Sequence, residues 1–355
     1  MSPLSRAQIQ RNYRDRQRFA RDAAADPVGS IVRGAIALSR NRFDELTTPT
    51  EFARRAWADD RGVELVLRAA SSPAMTTAPG WAQELSHVAI EFIASLVPQS
   101  AGADLLGRGF QLKFNGAGSI SLPTISQGQA SFIGQAKAIP VAQFTTASGL
   151  AIVPHKLAMI SVVTREMLES SNAEAIVGAV LIESAARGLD NALFSSGAGT
   201  ADQPAGLLFG IAPTAASTST ILTDAMLVDL STRGGAVARV AGSNIVYICA
   251  PEQAIAISVS APNFAYPVLA SAALPPKTVV AVAAAAIASA YDPAPMIEAS
   301  REAELVMDSA AGDLMTGGAT SSLNHTDRIA LRMKLPVAWA LRSSSALAWI
   351  QSAVW

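Results

Sequence analysis

Three histidines, His87, His155 and His325, are the side chains best suited to hold a metal or move a proton near neutral pH. They lie far apart, and none stands in a spacing such as His-x-x-x-His with a neighbouring Glu, which would set two imidazoles on one helix face. Arg165-Glu166 and Glu169 have acid/base chemistry, but charges opening a helix are ordinarily a solvated feature. Gly197-x-Gly199 offers the glycines of a phosphate loop, yet no Lys-Ser/Thr follows it, and it trails a helix where a phosphate loop leads one. Asp59-Asp60 could ligate a cation, and a capped, solvated loop is the simpler reading. No Gly-x-Ser-x-Gly elbow presents a nucleophile. The one cysteine, Cys249, sits in the apolar run Asn244-Ile-Val-Tyr-Ile-Cys249 and reads as a small buried hydrophobe. The sequence therefore names no catalytic, cofactor-binding or metal-ligating residue, and it implies no cofactor.

Composition narrows the classes further. The 355 residues are half hydrophobic and only 15% charged, with few aromatics, and mean hydropathy is +0.30. That is apolar for a soluble chain. Pro262, Pro267, Pro275 and Pro276 interrupt the longest uncharged runs, and Thr278 to Tyr291 is too short to span a bilayer as a helix. The expected destination of the apolar excess is contact between subunits, since obligate interfaces bury more than about 2,000 Å². A single cysteine forbids an intrachain disulfide and fits a reducing compartment. The N-terminus has no apolar signal-peptide core. Net charge is −1, but about half of the 27 basic residues lie between Met1 and Arg68, all of them arginine. Such a segment is either a sequence-blind arm for nucleic acid or, as the preferred reading, a solvated helical segment used in assembly.

The elements follow from periodicity. Met1 to Arg68 reads as helical and poor in core, with Arg11, Arg14, Arg18 and Arg21 at helical spacing. Ser71 to Gly80 is a turn-rich linker open to proteases. Leu85, Val88, Ala89, Phe92, Ile93 and Leu96 predict an amphipathic helix over Trp81 to Val97. Phe110 to Pro123 reads as strand, turn and strand around Asn115-Gly-Ala-Gly118. Gln127 to Thr146, rich in Gly, Gln, Ala and Ser, has too few large apolar groups for a core of its own. Ser171-Asn-Ala-Glu174 fits a capping box, and apolar residues from Ile176 to Leu193 carry the helix to Phe194. Gly197, Gly199 and Gly206 then supply a turn with freedom at φ. Helices are expected over Leu222 to Arg239 and Pro251 to Val259, with strands at Ile245 to Cys249, Val279 to Val282, Met296 to Ala299, Glu304 to Met307 and from Arg328 to the C-terminus. Asp308 to Asn324 reads as a loop. The five tryptophans, Trp57, Trp81, Trp339, Trp349 and Trp355, are spread as core or contact residues rather than as a base-stacking set.

Four motifs stand in a fixed order: Ser131-Phe-Ile-Gly-Gln-Ala-Lys-Ala-Ile-Pro140, Val153-Pro-His-Lys-Leu-Ala158, Thr164-Arg-Glu-Met-Leu168, and Ser195-Ser-Gly-Ala-Gly-Thr-Ala-Asp-Gln-Pro-Ala-Gly-Leu-Leu208. Their order resembles the major capsid proteins of tailed phages. The resemblance implies an α+β fold of the Hong Kong 97 type, with an N-terminal arm, an extended E-loop hairpin, a P domain with a spine helix, and an A domain. On that scheme residues 1–80 are a scaffold-like arm and linker, 81–115 an arm helix and first strand, 116–150 the E-loop, 151–220 the P domain, 221–325 the A domain and 326–355 returning P-domain strands. Lys137 falls where some members carry an isopeptide-forming lysine, but no matching Asn is evident. Trp57-x-Asp-Asp60 and Thr76-Thr-x-x-x-Trp81 look like the joint of protease-capsid fusions.

The resemblance further implies a structural protein of a phage or prophage virion. It would partner itself in hexamers, pentamers and an icosahedral shell assembled in the bacterial cytoplasm. Portal, scaffold or protease, and decoration proteins would be further partners, and packaged double-stranded DNA would be touched weakly and non-specifically, with no membrane involved. An encapsulin-like nanocompartment shell is the alternative, and a hydrolase is a more distant one.

Overall fold

The computed structural model describes residues 27–43, 47–58, 60, 62–64, 66–67, 93–114, 118–121, 151–169, 172–241, 244–291, 296–301, 304–306, 320–323 and 327–355. Its helices are α1 (Pro27–Phe43), α2 (Pro49–Ala56), α3 (Ala101–Arg108), α4 (Arg165–Glu169), α5 (Ala173–Leu193), α6 (Leu222–Ala241) and α7 (Pro251–Ser260). The strands are β1 (Phe110–Lys113), β2 (Ile120–Ser121), β3 (Ala151–Ile152), β4 (His155–Thr164), β5 (Ile245–Cys249), β6 (Val268–Ala270), β7 (Val279–Ala283), β8 (Ile287–Tyr291), β9 (Met296–Ser300), β10 (Glu304–Val306), β11 (Thr320–Ser322), β12 (Arg328–Leu341) and β13 (Leu347–Ile350). The fold is α+β. The chain divides into two compact units, residues 1–96 with 156–185 and 292–336, and residues 97–155 with 186–291 and 337–355.

The first unit contains a finding against expectation. Residues from 27 onward are not poor in core: Ile31, Val32, Ala35 and Ile36 recur at helical spacing on α1 and are all buried, as are Ala53, Val63 and Leu67. The arginines of α1 hid this stripe, because Arg33 and Arg40 lie beside it rather than on it. Arg33 donates to Asp60 at 2.5 Å and to Glu174 on α5 at 2.7 Å, and Arg40 donates to the carbonyl of Leu168 at 2.8 Å. The N-terminal helix is thus tied to the start of α5 within one unit. Helix α2 opens on a capping box in which the Thr48 hydroxyl accepts the Glu51 N–H and the Glu51 carboxylate accepts the Thr48 N–H, an arrangement that contributes about 1 kcal/mol. In the same unit β12 pairs antiparallel with β9, Ala330 opposite Ser300 through Lys334 opposite Met296, and β10 pairs with β11. Thr320 to Ser322 is therefore strand where the Gly/Ser/Thr composition suggested loop.

The second unit holds an antiparallel and parallel sheet in the order β13-β7-β5-β6. Strands β5 and β7 are buried at every position, so they read as continuous apolar runs without alternation. Helix α6 covers this sheet with Met226, Leu230 and Val237, which join Tyr247, Cys249, Val279 and Ile350 in one core. The last strand, β13, pairs with β7, placing the C-terminal residues in the sheet of residues 245–283. Strand β8 is flanked by β1, parallel, and by the end of β12, antiparallel. Its sequence Ile287-Ala-Ser-Ala-Tyr291 follows an alanine run with high helix propensity. It is a strand because ladders on both sides satisfy its backbone, and all five side chains, Tyr291 included, are buried.

Candidate functional site

The motif series is distributed over elements whose local chemistry is visible. His155 to Ser161 of β4 alternates between more and less exposed positions, and α4 follows the strand directly. The Glu166 carboxyl is held below the usual range by its own backbone N–H, one of the donors a helix start leaves free, and by the Thr164 hydroxyl. That accounts for the Thr-Arg-Glu motif as helix initiation. The Ser171 cap lies outside the described residues, and Glu174 bonds Arg33. Helix α5 buries Val177, Leu181, Ala185, Leu189 and Leu193, one stripe at steps of four. Ile176 and Val180, which the periodicity also placed inward, are 38% and 40% exposed.

After α5 the Gly/Pro turn folds back on the helix end. Leu207 N–H donates to the Leu193 carbonyl at 2.8 Å, Gly206 N–H to Gly197 at 3.2 Å and Thr200 N–H to Gln203 at 2.8 Å. The glycines do not serve positive φ here; among described glycines only Gly210, at φ +74°, takes that region. Gly206 is required by close approach, since a Cβ there would collide with the Ser195 backbone carbonyl. Two tryptophans clamp the turn: Trp339 donates through Nε1 to the Ala205 carbonyl at 2.9 Å and Trp349 to that of Ile211 at 2.8 Å.

Two buried carboxylates, neither singled out from sequence, organise the second unit. Asp190 accepts from the Ser100 hydroxyl at 2.5 Å, the Gly102 N–H at 2.9 Å and the Ser271 hydroxyl at 2.8 Å. Ser100 in turn caps α3 through the Ala103 N–H. The carboxylate thereby joins the end of α5, the start of α3 and the loop after β6. Asp229 accepts from Arg233 at 3.1 Å, from Ser217 N–H at 2.8 Å and from Trp355 Nε1 at 2.9 Å, and Arg233 also donates to the Ala215 carbonyl. Burial pulls the Arg233 guanidinium below its ordinary range while Asp229 opposes that pull. A polar residue amid an apolar helical stripe was the available signal for both.

The candidate chemical groups are not gathered. His155 opens β4, whereas His87, His325, Asp59, Lys137 and Trp81 lie outside the described residues, as do 122–150, where the arm was expected. Asp60 is occupied by Arg33 and by the Ser30 hydroxyl at 2.9 Å. Among the described residues no group of three or more His, Cys, Asp or Glu is placed to hold a metal ion, and no helix is long and apolar enough to cross a membrane. Burial pushes the Cys249 thiol up to about 12, which keeps it a protonated, unreactive core side chain. What the second unit does present is contact surface: Leu222, Leu227 and Val228 on α6 are 58%, 54% and 49% exposed, and Ile255 and Val259 on α7 are 63% and 75% exposed. Strands β2 and β3 pair antiparallel, Ile120 opposite Ile152 and Ser121 opposite Ala151.

Solved structures similar to this chain include one from Mycobacterium phage Adephagia (16% identity, 72% of this chain and 91% of that one, TM-score 0.47). Others come from Microbacterium phage Oxtober96 (18%, 71% and 91%, TM-score 0.48) and from the capsid of an empty GTA particle (15%, 72% and 91%, TM-score 0.46). No curated protein matches the chain. Residues 88–251 match the phage capsid family, and that stretch holds the whole ordered motif series from Ser131 to Leu208, with β4, α5 and the clamped turn. Over that stretch, which is less than half of the chain, the sequence is similar to the phage capsid family.

Proposed function

We propose that this chain is a major capsid protein that assembles through hexamers and pentamers into an icosahedral shell around double-stranded DNA, in the cytoplasm of a bacterial host. The observation that carries the reading is the family match over residues 88–251 with the motif series inside it. Shell stability on this reading comes from burying apolar surface between subunits, and the exposed α6 and α7 faces are available for that burial. Residues 116–150 act as the extended E-loop reaching over a neighbour, with the β2–β3 ladder as its base. Portal, scaffold or protease, and decoration proteins are further partners, and DNA contact is weak and non-specific. Electron microscopy of the expressed chain is expected to show closed shells or rings of five and six. A stable monomer at tens of micromolar would overturn the proposal, and shells filled with enzyme cargo in the native host would favour an encapsulin-like compartment.

The N-terminal region is read as an assembly segment joined through the linker before Trp81. Its role must accommodate the burial of α1, so its attachment to the body is non-covalent as well as covalent. Limited proteolysis is expected to cut near residues 70–80, where Ser, Pro, Thr and Gly dominate. The fragment carrying α1 and α2 should stay with the body on a native column and separate in denaturant. First cuts inside α5, or immediate loss of the N-terminal fragment, would sink this reading.

A further inference from the structure

The sheet β13-β7-β5-β6 carries two helices side by side on one face. Leu230 and Val237 of α6 and Ile257 of α7 share one core with Tyr247. Helix α6 lies mainly over β7 and β13, and α7 lies over β5 and β6, so each helix flanks one edge of the sheet. The two edges are unlike. At the β6 edge the surface projects and is apolar: Ile255 and Val259, one turn apart on α7, are 63% and 75% exposed, the highest values of any large apolar side chain among the described residues. From Gln253 to Pro276 the chain carries no charged residue, and Pro262 and Tyr266, between α7 and β6, are exposed as well. An exposed face kept free of charge has the composition of an interface core.

At the β13 edge the surface is hollow. Thr232, Ala236, Arg239 and Val240 of α6 line an open depression together with Ser343 and with Leu347, the first residue of β13. Arg239 is the one charged residue lining it. Glu252, a turn before Ile255, is the one charged residue of α7. Neither forms an ion pair among the described residues. The ridge and the hollow thus differ in shape and in the sign of their single charge.

We infer that the α7 ridge of one copy of this chain seats in the α6 depression of a second copy, Ile255 and Val259 entering beside Ala236 and Val240, and Glu252 meeting Arg239. Two ridges would meet only at their projecting side chains, and two hollows would enclose a void without partner atoms. Each surface therefore finds its complement in the other, and the contact is head-to-tail. Because its halves lie at opposite edges of one sheet, a copy that uses both joins two neighbours, and such a contact generates a ring where the rotation closes. Burial of the ridge supplies the apolar term, and the ion pair sets the register. The inference rests on the shell reading, whose rings of five and six need a head-to-tail contact, and adds which two faces make it.

Thiol cross-linking of the full chain tests this, because Cys249 is buried and does not compete. The chain carrying Val259→Cys together with Ala236→Cys, treated with a short bis-maleimide, should give a ladder of covalent oligomers ending at five or six copies on a denaturing gel. Either cysteine alone should leave single chains, since a head-to-tail contact sets each residue against a different one. Ile255→Asp in the double-cysteine background changes an exposed side chain, so circular dichroism should be unchanged while ladder yield falls about tenfold. Glu252→Arg should lower the yield similarly, and adding Arg239→Glu should restore it. Dimers from a single-cysteine chain, a full ladder with Ile255→Asp, or no recovery in the double reversal would each overturn the contact. Shells of the double-cysteine chain without a ladder would reject the contact and leave the shell reading standing. A ladder without rings or shells would keep the contact and reject the shell, and absence of both would reject the two together.

Discussion

Replacing Arg233 by leucine is expected to destabilise the second unit by about 3–5 kcal/mol, the usual cost of removing one partner of a buried ion pair. Arg233 is 4% exposed and Asp229 1%, so water cannot take the place of the guanidinium. The substitution leaves a buried carboxylate held only by the Ser217 N–H and Trp355 Nε1, and it leaves the Ala215 carbonyl without its donor. Leucine at both positions should recover part of the loss, because it removes the uncompensated charge along with the bond. Urea unfolding followed by tryptophan fluorescence measures the change, and Trp355 reports on the site itself. A loss under about 1 kcal/mol, the range of exposed pairs, would mean that solvent reaches the pair and that it does not anchor the loop before α6.

Asp190→Ala is expected to cost about 3 kcal/mol or more, since three donors lose a buried acceptor together and hydrogen bonds to charged groups are worth about 1.5–3 kcal/mol each. The effect should spread beyond α5. The cap of α3 is fixed through Ser100, which loses its 2.5 Å partner, so amide exchange should quicken in α3 and in the loop carrying Ser271. Asp190→Asn retains one carbonyl oxygen and can donate to the Ser271 hydroxyl, and it should lose only about 1 kcal/mol. If exchange in α3 were unchanged in Asp190→Ala, the Ala103 N–H bond to Ser100 alone would suffice to start that helix.

The two carboxylates show where sequence reading stops. Elements were legible wherever burial has a period: α5 ends within one residue of its expected limit, β5 matches its expected range, and α6 and α7 extend theirs by one or two residues. Strand β8 was not legible, because alanines state a helical preference that only the neighbouring β1 and β12 ladders overrule. Helix α1 was missed as core because arginine count masked the spacing of Ile31, Val32, Ala35 and Ile36. Asp190 drew no notice because its partners lie 81 to 90 positions away, and Asp229 because Ser217 and Trp355, 12 and 126 positions away, come from outside its helix. The motif series, by contrast, was legible because helix starts, tight turns and backbone clamps are written in neighbouring residues.

The first compact unit draws its chain from residues before 97, from 156–185 and from 292–336. A ribosome adding about 5–20 residues per second needs about 15–60 s to travel from the end of α1 to the end of that unit. For all but its closing seconds the apolar stripe of α1 has been made and the strands β9 and β12 of its unit have not. Newly synthesised chains therefore pass through a long stage with adhesive surface uncovered, at the high local concentration of a polysome. Yield of soluble protein should depend on translation speed and chaperone supply more than on the stability of the finished subunit.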